Sequence, residues 1–399
     1  MKEKKVSRFD KWFWYVMYFF LFGYSCLGIP GGAGLRPVIC ACVIGFSALT
    51  YIRCVILNYH VGLASFVVMI TVLAIILGMS NGGTITGLVL DTTVCSSVLL
   101  GIYMMRFQPI VIKKFLIISA VCSLLVFVIC YRFNSFGMDD IVSRGAIDTE
   151  AFAGSAMLWP MALTVAYVTV FKGDINKYYF YLGYAYWAVC IVIHLMFLKR
   201  AIITDSIFLL LGIMWYYQWC QKKNVFSTAF KLIITTAFVV FITNAVFEDL
   251  LNFDITAIID RMGERFEQTE TGTVRIDESE NYFKNASTFD IIVGKGLGVA
   301  HHGLGFEKKN TALHIGINNL VLKHGVFMVM MYIIMVVSIF YKILRRPNLT
   351  KMQQVCAITF LSSFPPFVFY GNFWATAPAY CFMWYSIFYI FFRQKENIT

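Results

Sequence analysis

The chain is 399 residues long, 59% hydrophobic and 14% charged, where soluble domains carry about 25% charged residues. That balance excludes an ordinary soluble enzyme and predicts an all-α polytopic membrane protein, because backbone in hydrocarbon must satisfy its own hydrogen bonds. A formal net charge of +11 would suggest a nucleic-acid partner in a soluble chain. Here the basic residues scatter over short loops, so orientation in a lipid bilayer accounts for them and no nucleic-acid partner is expected.

Met1 to Asp10 carries Lys2, Lys4, Lys5 and Arg8 like a secretory leader, but no small-residue cleavage site follows the first apolar run, so a retained cytoplasmic tail is expected. Stretches apolar enough to span a bilayer then recur about twelve times. They cover residues 12–29, 37–57, 61–79, 86–105, 115–131, 153–171, 178–198, 201–219, 229–247, 318–341, 352–370 and 375–392. With the N-terminus inside, the inner loops hold Arg53, Arg106, Lys113, Lys114, Lys172, Lys177, Lys222, Lys223, Lys231, Lys342, Arg345, Arg346 and Lys351. The short outer loops hold Arg36, Arg132, Arg144, Lys199 and Arg200.

This bias predicts a multi-pass protein of a bacterial inner membrane with both termini cytoplasmic. It divides the chain into a membrane part over 1–247 with roughly nine spans, a polar periplasmic loop over 248–317, and a second membrane part over 318–399 with roughly three spans. No internal repeat of the inverted-transporter kind is visible. The eleven cysteines all lie in or beside apolar stretches and none forms a CxxC pair, so they read as small buried hydrophobes.

Lys199 and Arg200 stand at the outer face between two spans, against the charge rule. Arg200 opens an apolar helix with no loop to float in, so it is expected near the membrane surface, where it can meet a lipid-carrier phosphate. Snorkelling to ordinary headgroups is the competing account. In the polar loop, Arg261, Arg265 and Arg275 offer the bidentate fork that suits pyrophosphate. A solvated helix laced with ion pairs explains Arg261 and Arg265 as well.

The run GKGLG, with Gly294, Gly296 and Gly298, is neither a GxGxxG nor a Walker pattern and reads as a turn that lets backbones approach closely. His301, His302, His314 and His324 follow, without carboxylate or thiol company at metal-binding spacing, and no metal or other cofactor is expected. His314 stands where the loop re-enters the membrane, just ahead of Asn318 and Asn319. There it can take a proton from an incoming hydroxyl, or it can simply cap the helix that follows. Asp91 and Asp205 fall inside spans, where charge is costly. Asp205 either supports a site at Arg200 or neutralises that cation.

Taken in order, KRAIITDS at the start of a span, Arg275 upstream of IIVGKGLG, the glycine cluster, and HIGINNLVLKHG leading into the next span resemble the membrane glycan polymerase and ligase superfamily. That superfamily includes O-antigen polymerases and O-antigen ligases. The likeness covers residues 195–325; the earlier spans share only hydropathy. In the family the histidine is often followed by Asn, whereas Ile315 follows here, and Lys199 replaces a residue that is more often small or polar.

The resemblance implies an inverting, metal-independent glycosyltransferase of the GT-C-like kind. Its donor would be an oligosaccharide on undecaprenyl pyrophosphate, held by Arg200 and Arg275, and His314 would activate the acceptor hydroxyl; the arginine-rich loop adds Arg265 as a further pyrophosphate-binding candidate. Lys199, Asp205 and Asn318 are candidate supporting residues. The acceptor would be another lipid-linked repeat unit in a polymerase, or lipid A-core in a ligase. A chain-length regulator is a candidate partner. A secondary transporter using Asp91 and Asp205 as coupling sites is the more distant alternative.

Overall fold

The computed structural model describes residues 8–25, 36–107, 116–117, 120–121, 158–196, 201–223, 270–302, 309–310, 313, 315–345, 349–369 and 377–392. In chain order the helices are α1 (Arg8–Ser25), α2 (Arg36–Ile56), α3 (Val61–Ser80), α4 (Ile85–Met104), α5 (Leu158–Val170), α6 (Lys177–Met196) and α7 (Ala201–Trp215), which ends in a π-helical turn over Tyr216–Cys220. Then come α8 (Glu270–Asn285), the short α9 (Thr288–Val293), α10 (Gly316–Arg345), α11 (Lys351–Phe369) and α12 (Ala377–Phe392). The described residues are otherwise interrupted by one small antiparallel pairing, β1 (His301–His302) with β2 (Lys309–Asn310).

Four of the described segments are long and apolar enough to cross a membrane: Pro37–Ile56, Val61–Ser80, Ile85–Met104 and Gly316–Arg345. Shorter apolar stretches follow the expected spans in α5, α7 and α12. The span expected at 229–247 lies outside the described residues, and so does most of that at 115–131. The all-α expectation therefore holds for the described chain, with four membrane-crossing helices visible by length and composition.

Helix α4 is the hub, packing against α2, α3 and α12, while α11 packs against α5, α7 and α12. Its burial explains its composition. Thr93, Ser96 and Ser97 sit in the middle of α4 and return their hydroxyls to the carbonyls of Val89, Thr92 and Val94. Thr359, Ser362 and Ser363 do the same within α11. Small polar residues can thus line helix interfaces without leaving an unsatisfied group. Large side chains fill the spaces between, among them Phe13, Tyr103, Trp187, Phe360 and Tyr385. The cysteines Cys40, Cys54, Cys95, Cys190, Cys356 and Cys381 are buried as expected, whereas Cys220 is partly exposed and Cys42 is exposed, which corrects the reading of these two as buried.

One end of the bundle is tied by polar contacts. The Tyr103 hydroxyl donates to Asp10 Oδ1 at 2.6 Å and Arg106 Nη1 donates to the same oxygen at 3.1 Å. Arg53 lies over the Phe9 ring. These join α1 to the last turns of α2 and α4, and the residues concerned are ones that the charge bias puts on a single side. Because Asp10 is buried, Tyr103→Phe removes a donor to a charged group and is expected to cost about 1.5–3 kcal/mol. A fall in melting temperature of the purified protein in detergent checks this; an unchanged melting curve would mean that the contact carries no weight.

Candidate functional site

The polar loop returns to the membrane helices through its glycine cluster. Helix α9 opens with a capping box: Asp290 N donates to Ser287 Oγ and Ser287 N donates to Asp290 Oδ2, both at 3.1 Å. It packs along α10 and stops at Gly294. From there residues 294–299 run as a turn wedged between α3, α4 and α10.

Backbone bonds fix the wedge on three sides. Lys295 N donates to Leu322 O at 2.7 Å, Leu297 N donates to Ala74 O at 2.9 Å, and Thr84 N donates to Gly298 O at 3.0 Å. Asn81 Nδ2 adds a bond to Lys295 O at 2.9 Å. Such contacts need bare backbone. A Cβ on Gly296, where φ is +87°, would stand 2.1 Å from Gly78 N. Helix α10 gives way as well: Gly325 breaks it with φ 76°, and a Cβ there would stand 2.1 Å from Ile292 O. The close-approach turn expected from GKGLG is what these residues form.

Beneath the turn lies a charge pair. Lys323 Nζ is 2.7 Å from Asp91 Oδ2, and both side chains are almost completely buried. The same Asp91 oxygen accepts Gly298 N at 2.6 Å, and Lys323 Nζ reaches Val299 O at 3.4 Å. A carboxylate in α4 and an ammonium in α10 are thus each completed by the backbone of the turn wedged between them. Such a pair is tolerated in an apolar layer only when its remaining hydrogen-bonding capacity is met.

A second cluster sits at the start of α10. Tyr282, Leu313 and Leu322 form a small core, and Leu313 N donates to Asn319 Oδ1 at 3.1 Å. Asn319 is 0% exposed and Tyr282 6%. Among the described residues, Asn319 Nδ2 and the Tyr282 hydroxyl have no hydrogen-bond partner. Burial, with the charge of Asp290 adding to it, pushes the Tyr282 hydroxyl up to about 12. Tyr282 therefore remains a neutral donor and acceptor at neutral pH. Lys295 Nζ lies 5.6 Å from its ring centroid and 3.7 Å from Asp290 Oδ2.

The residues expected at the site are only partly in view. Asn318 is half-buried, and its neighbour Asn319 holds the buried position. Arg275 belongs to α8 and Asp205 to α7 by their backbones, but their side chains lie outside the described residues. His314, Arg200, Lys199 and Arg265 lie outside them altogether. Three residues were missed: Lys323, Tyr282 and Asn319. For Lys323 the signal was present, a lone cation in the apolar run LVLKHGVF, which needs an anion such as Asp91.

Compared with protein-family models, curated proteins and solved structures, the chain finds no match.

The charge pair makes a sharp prediction. Asp91→Leu or Lys323→Met alone strands a buried charge and is expected to destabilise the protein by about 3–5 kcal/mol. Asp91→Leu combined with Lys323→Met should cost less than either. Thermal unfolding of the four proteins in detergent measures this cycle, and strictly additive losses would show that the two charges do not depend on each other.

Proposed function

We propose that the chain is a membrane glycan polymerase. In this reading it transfers an oligosaccharide from undecaprenyl pyrophosphate to a sugar hydroxyl of another lipid-linked repeat unit, with inversion and without a metal. About twelve spans, both termini in the cytoplasm and the 248–317 segment in the periplasm of a bacterial inner membrane belong to the same proposal.

The observation that carries it is the cluster around Leu313. Two buried polar groups, the Tyr282 hydroxyl and Asn319 Nδ2, lack partners among the described residues beside the residue that precedes His314. Buried donors are normally paired, and exceptions gather where a ligand or reacting group completes them. A sugar hydroxyl offers the donor and acceptor that such a place requires.

In the proposed mechanism His314 removes the proton from the acceptor hydroxyl as that oxygen attacks the anomeric carbon. The glycosidic bond to the pyrophosphate breaks on the opposite face, which inverts the centre. Negative charge grows on the departing pyrophosphate, and the guanidiniums of Arg200 and Arg275 stabilise it. Tyr282 and Asn319 orient the acceptor. The order of motifs from Arg200 through Gly325 supports this assignment, and so does the anchoring of the loop on Asp91 and Lys323.

Ligation to lipid A-core shares the same chemistry and differs only in the acceptor. The transport reading loses support from the partners of Asp91, since a carboxylate held by Lys323 Nζ and Gly298 N is occupied in clasping the loop.

Expected outcomes are specific. His314→Ala and Arg275→Ala should abolish chain extension, with a loss of about 10²-fold or more. Arg200→Lys should also be damaging, because a point charge replaces a fork. Asn319→Leu should lower polymer yield while the protein remains inserted at normal abundance. Polymer ladders on gels, normalised to membrane protein level, measure all four, and wild-type ladders from His314→Ala and Arg275→Ala would sink the reading.

A further inference from the structure

Between α3, α4, α10 and α12 runs an apolar cleft of about 330 Å³. Phe66, Val98, His324, Met331, Trp384 and Phe391 mark its course. On α10 its lining extends from Leu320, across the break at Gly325, to Met335, an elongated course that one hydrocarbon chain can follow. The flanking surfaces carry exposed apolar side chains, Met69 and Ile76 on α3 and Met330 and Ile334 on α10, on two helices long and apolar enough to cross a membrane, so the cleft lies along a face suited to lipid.

Where this cleft ends, a second hollow of about 440 Å³ begins, and Phe391 lines both. The second hollow has a different chemistry. Lys342 and Arg345 stand in its wall with Tyr341 and Ser338, and among the described residues no carboxylate lines either hollow. Lys342 Nζ donates to Phe391 O at 2.8 Å and lies 3.9 Å from the Phe391 ring centroid. Arg345 Nη1 donates to Tyr341 Oη at 2.9 Å with the guanidinium over that ring. A guanidinium has five N–H donors, so this contact orients Arg345 and leaves most of its fork available.

At the opposite end of the cleft the chemistry is reversed. The cation there, Lys323, is committed to Asp91. Among the described residues that line the two hollows, the exposed guanidinium of Arg345 is thus the cation that a headgroup can meet without breaking an ion pair such as that of Lys323.

We propose that the two hollows bind one anionic membrane phospholipid. An acyl chain lies in the cleft and the phosphodiester rests against Lys342 and Arg345, in the leaflet that the charge bias makes cytoplasmic. The occupant is set apart from a polyisoprenoid carrier by polarity: a carrier with its head at the outer face would direct that head toward His324.

The test uses full-length protein purified in mild detergent, delipidated, and returned to nanodiscs of equimolar phosphatidylglycerol and phosphatidylcholine. Native mass spectrometry after release counts the lipids retained. Wild type is expected to keep phosphatidylglycerol about tenfold over phosphatidylcholine. Combined Lys342→Gln and Arg345→Gln, monodisperse on size exclusion, should lose that preference, and Met331→Trp, which fills the cleft, should reduce retention of both lipids. Equal retention of the two lipids by wild type overturns the proposal whether or not any variant folds. So does recovery of a polyisoprenoid phosphate, rather than phospholipid, as the molecule that Met331→Trp displaces.

Discussion

A carboxylate and an ammonium buried among apolar helices constrain the rest of this structure. Asp91 and Lys323 belong to α4 and α10, far apart in sequence, and neither can stay in that layer without the other. Their pairing still leaves hydrogen-bonding capacity open, and the turn from Gly294 to Val299 supplies it through Gly298 N and Val299 O. Position of the polar loop is thereby bound to the packing of the membrane helices. The glycines follow from this demand, because a turn that must place its backbone against the backbones of α3 and α10 has no room for side chains.

Helix α10 carries the consequence to the candidate site. Asn319 and Lys323 are one turn apart on the same face, so the residue that closes the charge pair and the residue that holds Leu313 share one rigid element. The break at Gly325 separates this first piece from the remainder of α10. This first piece positions the Tyr282, Leu313 and Leu322 cluster, and the Tyr282 hydroxyl there and Asn319 Nδ2 beside it have no hydrogen-bond partner among the described residues. The proposed reaction between two lipid-linked substrates is assigned to this place, where the anchored loop meets α10.

Much of this was legible in the sequence, and the reasons divide cleanly. Helices α2, α3, α4 and α10 could be placed because uninterrupted apolar runs have one stable form in a bilayer. The glycine cluster was readable as a close-approach turn because its spacing fits no phosphate loop. Asp91 was recognisable as costly and Lys323 stands out as a lone cation in an apolar run, but which charge meets which could not be read, since pairing between distant helices leaves no periodic trace. Asn318 was chosen where Asn319 holds the buried position; adjacent residues on a helix point about 100° apart, and only the tertiary setting tells which faces inward. Tyr282 had no local signal at all. Arg200, Arg275 and His314 rest on the resemblance of their motifs, and Arg265 on the arginine content of the polar loop.

The most direct measurement is structural analysis of the glycans made by a strain from which this chain has been deleted, with complementation by the wild-type gene. The account predicts that the deletion strain makes a single capped repeat unit and no longer polymer, and that complementation restores the full ladder. An unaltered ladder in the deletion strain would contradict it, and long polymer accumulating on the lipid carrier would assign the chain to ligation instead.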